Sequence, residues 1–380
     1  MDFTFLTPPL VRFGRGCITE LGKETKRLGN RALLVTGRSF LKQSGILDRL
    51  LGILEEAGVS TVIYDGVSPE PLVDMAEEAR ELLYREGCNV VIGAGGGSAL
   101  DTAKSVAALA GAPGRVAEYL NGKRIDGAAL PWVAVPTTAG TGSEATPTAV
   151  FTDPARDVKT SMRGRQFMAA AVLVDPELTL TAPPHITAHS GMDALTQAIE
   201  SLTSRFATPL TKSLSLQAAE LIISCLPRAV ENGQDIEARE NLALGSLMAG
   251  IALANARLGV VHGLAHPVGH RCQRAHGLVC AVLLPPVMEF NLPVAAGDYA
   301  LLARRLDLPG DNDTEKARAL VTLVRNLNQR LGIPSRLKAL GLKADDIPVM
   351  AEQALPSGST KANPRPVSRE DLEGILDNAL

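Results

Sequence analysis

Residues 89–109 read NVVIGAGGGSALDTAKSVAAL. A run of branched apolar residues meets a glycine cluster and then an alanine-rich segment with apolar positions at helical spacing. That pattern predicts a buried strand, a tight turn and a helix. Gly93, Gly95, Gly96 and Gly97 follow NVVI directly, and Ser98 and Asp101 open the helix. Glycines without a Cβ allow close approach of a pyrophosphate, with positive φ expected at Gly96. The helix N-terminus adds free N–H groups and a partial positive charge. A glycine turn alone can equally be a connection that binds nothing. Its place between a strand and a helix favours a nucleotide.

Working outward, the same alternation recurs. RALLVTG (31–37), STVIYDG (60–66) and WVAVPTT (132–138) read as strands, while 44–58 and VDMAEEARELLYREG (73–87) read as helices. Strands alternating with helices imply a parallel sheet with crossover connections. Residues 1–16 read as a short hairpin or edge ribbon turning at Pro8 and Pro9. The glycine turn ends the third of these strands, whereas an ordinary dinucleotide fingerprint follows the first. A second polar turn, PTTAGTGSE (136–144), offers threonine and serine hydroxyls to phosphate, ribose or carboxamide groups.

The pattern changes near Pro183 and Pro184. Beyond them come long helical segments such as LTKSLSLQAAELIISCL, ARENLALGSLMAGIALANA and DTEKARALVTLVRNLNQRLG, with few strand candidates. We therefore expect an α/β nucleotide-binding domain over 1–183 and an all-helical domain over 184–380.

The net charge of −3 and the scattered basic residues give no reason to expect a nucleic acid or anionic membrane partner. No uninterrupted apolar run reads as a membrane span. Five cysteines without any CxxC pair argue for reduced thiols and a cytoplasmic setting rather than disulfides.

All six histidines lie in the second half, at 185, 189, 262, 266, 270 and 276. On one helix, His262, His266 and His270 share a face. Asp193 and Gln197 are four apart in GMDALTQAIES (191–201). A carboxylate and imidazoles on two helices can converge on a divalent ion.

Several segments together resemble the iron-type (group III, metal-dependent) alcohol dehydrogenases. They are GGGSALDTAK (95–104), PTTAGTGSE (136–144), GMDALTQAIES (191–201), GVVHGLAHPVGH (259–270) with the following AHG and LLPPVMEFN, and NPRPVS (363–368). The resemblance runs in order over nearly the whole chain. It implies a dehydroquinate synthase-like fold of α/β and helical domains. The implied activity is hydride transfer between NAD(P) and a small aliphatic alcohol or aldehyde, in a homo-oligomer of two or more chains. It places metal ligands at Asp193, Gln197, His262 and His276, for Fe²⁺ or Zn²⁺. His266 matches a histidine near the reacting centre. Cofactor contacts fall on Gly37, Ser39, Gly95, Gly96, Gly97, Ser98, Asp101, Thr137, Thr138, Thr141, Ser143 and Lys159.

Two positions depart from the family. Gln197 stands where the usual ligand is histidine, and an amide oxygen is the weaker donor. His270 stands where most relatives have another residue; two helical turns separate it from His262, about 12 Å. NAD-preferring relatives carry an acid at the Gly37 position. Here Arg38 follows instead, so NADP should be tolerated. A lyase acting on a sugar phosphate would need more basic residues than Arg271 and Arg274 in the histidine segment. A metal-free nucleotide-binding relative is the other alternative.

Overall fold

The computed structural model describes residues 2–380. Contacts divide the chain into an α/β unit, Thr7–Ala182, and a helical unit running from Pro183 to the C-terminus. Leu6 goes with the helical unit: its N–H donates to Asn255 Oδ1 at 2.6 Å, and the Asn255 amide returns a bond to the Leu6 carbonyl at 2.8 Å.

The α/β unit contains strands β1 (Val11–Phe13), β2 (Arg31–Gly37), β3 (Ser60–Val67), β4 (Val90–Gly95), β5 (Trp132–Pro136), β6 (Thr148–Asp153), β7 (Val158–Arg163) and β8 (Ala171–Val174). Its helices are α1 (Leu21–Leu28), α2 (Phe40–Gln43), α3 (Ile46–Glu56), α4 (Val73–Glu86), α5 (Gly97–Ala108) and α6 (Val116–Leu120). Six strands form one sheet in the order β1-β8-β5-β4-β2-β3, every neighbouring pair parallel. Leu34, Ile92, Val133 and Leu173 cross the sheet in one buried cluster with Ile18, Leu50 and Leu54.

After β2 the chain runs out to the edge as β3 and returns on the other side of β2 as β4. The strand order reverses there. Open α/β sheets bind ligands at such a point, outside the carboxyl ends of the strands. The glycine turn thus stands beside the end of β2 although a third strand precedes it.

Of the two readings of residues 1–16, hairpin or edge ribbon, the second holds: residues 11–13 pair with β8 in parallel as the sheet's edge strand. Two details differ from the sequence reading. Gly93 and Gly95 lie inside β4 rather than after it. An antiparallel pair, β6 with β7, stands apart from the main sheet and was not anticipated.

The helical unit comprises α7 (Pro184–Thr203), α8 (Pro209–Glu231), α9 (Ile236–Ala256), α10 (Val260–Cys272), α11 (His276–Arg305), α12 (Asp313–Arg330), α13 (Ile347–Ala354) and α14 (Arg369–Ala379). The longest, α11, runs through Pro285, Pro286 and Pro293. A proline inside a helix frees the carbonyl four residues earlier. For Pro285 that is Ala281, whose oxygen accepts from the buried Asn328 amide at 2.6 Å. Among the described residues, α11 alone is long and apolar enough to cross a membrane, a stretch the sequence reading did not single out. Of its most apolar window, 61% is buried inside the protein, as in a core helix.

The NPRPVS segment locks α10 to α11. Asn363 and Asn291 exchange amide hydrogen bonds at 2.8 and 3.0 Å, both side chains buried. Asn363 Oδ1 also accepts from the Val260 N–H, at the start of α10, at 3.4 Å.

Candidate functional site

The glycine turn gains its shape from three different constraints. Gly95 has φ 147°, and a Cβ there would stand 2.8 Å from Ala99 Cβ. A Cβ on Gly97 would reach the Thr141 side chain at 2.7 Å. Gly96, by contrast, has φ −78° and would make only an ordinary contact with Thr138 at 3.4 Å. The positive φ expected at Gly96 is therefore at Gly95. No side chain caps the N-terminus of α5, so its first N–H groups can serve an anion. Thr137 N–H donates to the Gly95 carbonyl at 3.0 Å and sets the second turn beside the first.

Asp101, Ser143 and Lys104 build the support beneath. Asp101 accepts from Ser143 Oγ at 2.5 Å and from the Val150 N–H at 2.9 Å. Both its carboxylate oxygens and the Ser143 hydroxyl are thus engaged within the unit. Lys104, wholly buried, donates to the carbonyls of Ser143 at 2.6 Å and Thr148 at 2.8 Å. Burial lowers its pKa, against the pull of Asp101 and Glu144. Burial also raises the neighbouring Glu144 to about 7.

Glu144 gives a pH prediction. Its folded pKa lies above the value near 4.5 of the exposed group, so the folded chain binds the extra proton. Stability from this group is full below pH 4.5 and is lost as pH rises through about 7. Glu144→Gln should flatten that slope. Melting temperatures at pH 5 and pH 8 that fall equally in both proteins would refute it.

Gly37, Arg38 and Ser39 lie at the carboxyl end of β2. A Cβ on Gly37 would meet only the Val67 carbonyl, at 3.7 Å. Arg38 is exposed, its Nε donating to the Gly66 carbonyl at 3.3 Å. Lys159, on β7, forms an ion pair with Glu70.

In the helical unit a second cluster converges. Asp193 and Gln197 lie one turn apart on α7, His262 and His266 on α10, His276 and Cys280 on α11. Gly277 permits the approach of α11 to α7, since a Cβ there would stand 2.2 Å from the His189 carbonyl oxygen. His262 Nε2 lies 3.5 Å from Asp193 Oδ1, and His276 Nε2 lies 3.7 Å from the same oxygen. One ligand atom each from Asp193, His262, His276 and Cys280 fits within 4.8 Å of the others.

Three buried polar atoms in this cluster have no hydrogen-bond partner: Asp193 Oδ1, Gln197 Oε1 and His262 Nε2. Leaving such atoms unsatisfied costs about 1–3 kcal/mol each. A divalent cation held by Asp193, His262 and His276 would satisfy the first and the last, so these residues fit a metal. The Gln197 amide donates to Asp193 Oδ2 at 3.0 Å, which turns its carbonyl oxygen away from that bond.

Glu200, one turn beyond Gln197, holds His262. Its Oε2 lies 2.6 Å from His262 Nδ1, and its Oε1 accepts from the Val261 N–H at 2.7 Å. A carboxylate on Nδ1 fixes the ring so that Nε2 faces the cluster. Burial alone would lower the His262 pKa, yet Glu200 and Asp193 raise it to about 9. Burial pushes Asp193 up, but His262 and His276 hold it below its ordinary value. A bound cation would take the place of the imidazole proton. His266 stacks on His276 with ring centres 5.0 Å apart and an interplanar angle of 22°.

The structure thus brings Asp193, Gln197, His262, His266 and His276 together, and leaves His270 outside the donor group. Sequence reasoning missed Cys280, Glu200 and Lys104. Cys280 sits four residues after His276, a helical spacing that could have revealed it. It was passed over because no CxxC pair marked it.

Residues 8–176 match the family described as iron-containing alcohol dehydrogenase, and residues 187–380 match the Fe-containing alcohol dehydrogenase family, C-terminal. The NAD-dependent methanol dehydrogenase of Bacillus methanolicus is 36% identical over 378 residues, 99% of each chain. The NADPH-dependent butanol dehydrogenase of Clostridium saccharobutylicum is 33% identical, over 98% of this chain and 97% of its own. The crystal structure of a 1,3-propanediol oxidoreductase superposes with a TM-score of 0.97 at 35% identity, covering 100% of both chains.

Proposed function

The chain belongs to the iron-containing alcohol dehydrogenase family, and we propose that it transfers a hydride between NAD(P) and a small aliphatic alcohol or aldehyde at a divalent metal. The observation that carries this reading is the group of orphaned donors Asp193 Oδ1, Gln197 Oε1 and His262 Nε2 beside His276. Asp193, Gln197, His262 and His276 hold the ion, Gln197 through its carbonyl oxygen.

When bound, the metal supplies Lewis-acid polarisation of the substrate oxygen, and the nicotinamide supplies or accepts the hydride. The chain's own residues do the rest. Glu200 keeps the His262 ring fixed. His266, half-buried against His276, passes the hydroxyl proton towards solvent. Gly95, Gly96, Gly97 and Ser98 receive the pyrophosphate at the start of α5. Thr137, Thr138, Thr141 and Ser143 line the neighbouring turn, Asp101 braces it, and Lys159 reaches the cofactor from β7. Gly37 and Ser39 meet the ribose. The five cysteines are unbridged, which supports a cytoplasmic setting.

The test is anaerobic oxidation of NADH and NADPH with a panel of short aldehydes, with and without Fe²⁺ or Zn²⁺. Metal-dependent turnover is expected; no turnover under any combination overturns the reading. The same assay addresses cofactor choice. Arg38 beside an acid-free Gly37 should admit a 2′-phosphate, so NADPH should support turnover. Gly37 has room for a side chain. Gly37→Asp should lower use of NADPH relative to NADH by about tenfold, or about 1.4 kcal/mol. Rejection of NADPH by the wild type, with no change in Gly37→Asp, counts against it.

A further inference from the structure

Gln197 is a neutral donor, and a site built from it would be short of charge and affinity. The structure offers another donor on the same cavity. Cys280 is wholly buried, its Sγ 3.5 Å from His276 Nε2, within the group formed by Asp193, His262 and His276.

We propose that Cys280 is a thiolate ligand of the ion held by Asp193, His262 and His276. This inference rests on the metal-dependent reading above. Zinc takes nitrogen and oxygen at about 2.1 Å and sulfur at about 2.3 Å, which puts neighbouring donors of a tetrahedral shell about 3.4–3.6 Å apart. Here His262 Nε2–Asp193 Oδ1 is 3.5 Å, His276 Nε2–Asp193 Oδ1 is 3.7 Å and Cys280 Sγ–His276 Nε2 is 3.5 Å. The Cys280 thiol hydrogen-bonds to Asp193 as well as to His276, so it faces both and stands within 4.8 Å of the His262 donor. Helical spacing puts it there, since residues four apart on α11 share a face.

On binding, the S–H bond breaks as the sulfur–metal bond forms, and the proton leaves to the buffer. The thiolate contributes the negative charge that an amide at Gln197 lacks. Gln197 then stands outside the tetrahedral four, its amide N–H keeping Asp193 Oδ2 in place. A soft sulfur ligand also moves the preference of the site towards Zn²⁺ and Co²⁺.

The experiment uses the full-length protein, stripped of metal and loaded anaerobically with Co²⁺. Wild type and Gln197→Ala should show sulfur-to-cobalt charge-transfer absorption at one Co²⁺ per chain. Cys280→Ala and Cys280→Ser should lose it while keeping the wild-type circular dichroism. The Zn²⁺ dissociation constant of Cys280→Ala should rise at least about 100-fold. Cobalt bound by wild type without that absorption, or absorption that persists in both Cys280 variants, overturns the ligand assignment and leaves the metal reading intact. A wild-type chain that binds no Co²⁺, Zn²⁺ or Fe²⁺ overturns both. Zinc X-ray absorption of the wild type asks the same question with no variant. One sulfur neighbour at about 2.3 Å is expected, and a shell of nitrogen and oxygen alone refutes the assignment.

Discussion

Asp193→Ala should empty the metal site and lower kcat/KM by about 1000-fold. Asp193 supplies the oxygen that both His262 and His276 face, at 3.5 and 3.7 Å. Without it two imidazoles, the Gln197 amide and the Cys280 sulfur remain, with no carboxylate charge to offset a dication. Lewis-acid polarisation contributes several kcal/mol to such a reaction. A loss of about 4 kcal/mol corresponds to about three decades in rate. The fold should survive, because His262 keeps its partner Glu200 at 2.6 Å. Metal analysis and NAD(P)H oxidation on the purified variant decide the matter. Full metal occupancy with wild-type turnover would sink the assignment.

Gly96→Val should leave the chain folded and weaken cofactor binding by about 100-fold, or about 2.7 kcal/mol. The argument turns on which glycine is replaced. At Gly95 the backbone has φ 147°, and a Cβ would meet Ala99 at 2.8 Å; at Gly97 it would meet Thr141 at 2.7 Å. Substitution at either position strains the turn itself, so lost binding would say little about a ligand. At Gly96 φ is −78° and a Cβ would make only ordinary contact with Thr138 at 3.4 Å, so the turn itself is least disturbed there and the melting temperature controls for what remains. Titration of NADH and NADPH by fluorescence, with the melting temperature as control, reads both quantities. Unchanged affinity in a folded Gly96→Val protein would mean that no pyrophosphate lies against this turn.

The parts of the fold legible in the sequence are those where one segment carries its own signal. RALLVTG and STVIYDG are apolar runs bounded by glycine, and they are strands β2 and β3. VDMAEEARELLYREG carries a helical period and is α4. Elements defined by distant partners were not legible. β1 has three residues, and pairing with β8 across the sheet makes it a strand. β8 has four, too few to separate from a turn by period. The long helix α11 contradicts the propensity of three prolines. Asn328, far along the chain, takes the carbonyl that Pro285 frees.

The site divides the same way. Asp193 with Gln197, and the histidines of α10, announce themselves by spacing of four. The place of the glycine turn in the sheet needed the strand order, because only that order sets β4 beside β2. Cys280 and Glu200 needed the packing of three helices. Each looks ordinary along the chain, and their chemistry arises from what faces them.

The lock between Asn291 and Asn363 has a consequence for how this protein ages. An asparagine deamidates when the nitrogen of the next residue attacks its side-chain carbonyl and closes a cyclic imide. Asn363 is followed by Pro364, whose ring nitrogen carries no hydrogen and cannot complete that closure. Asn291 is buried within α11, where the helical backbone keeps its neighbour's nitrogen from swinging onto the side chain. Conversion of either amide to a carboxylate would put a charge in a buried pair and remove one of its two N–H donors, beside Val260 at the head of the helix carrying His262. The sequence NPRPVS therefore shields the histidine helix from chemical decay as well as holding it in place.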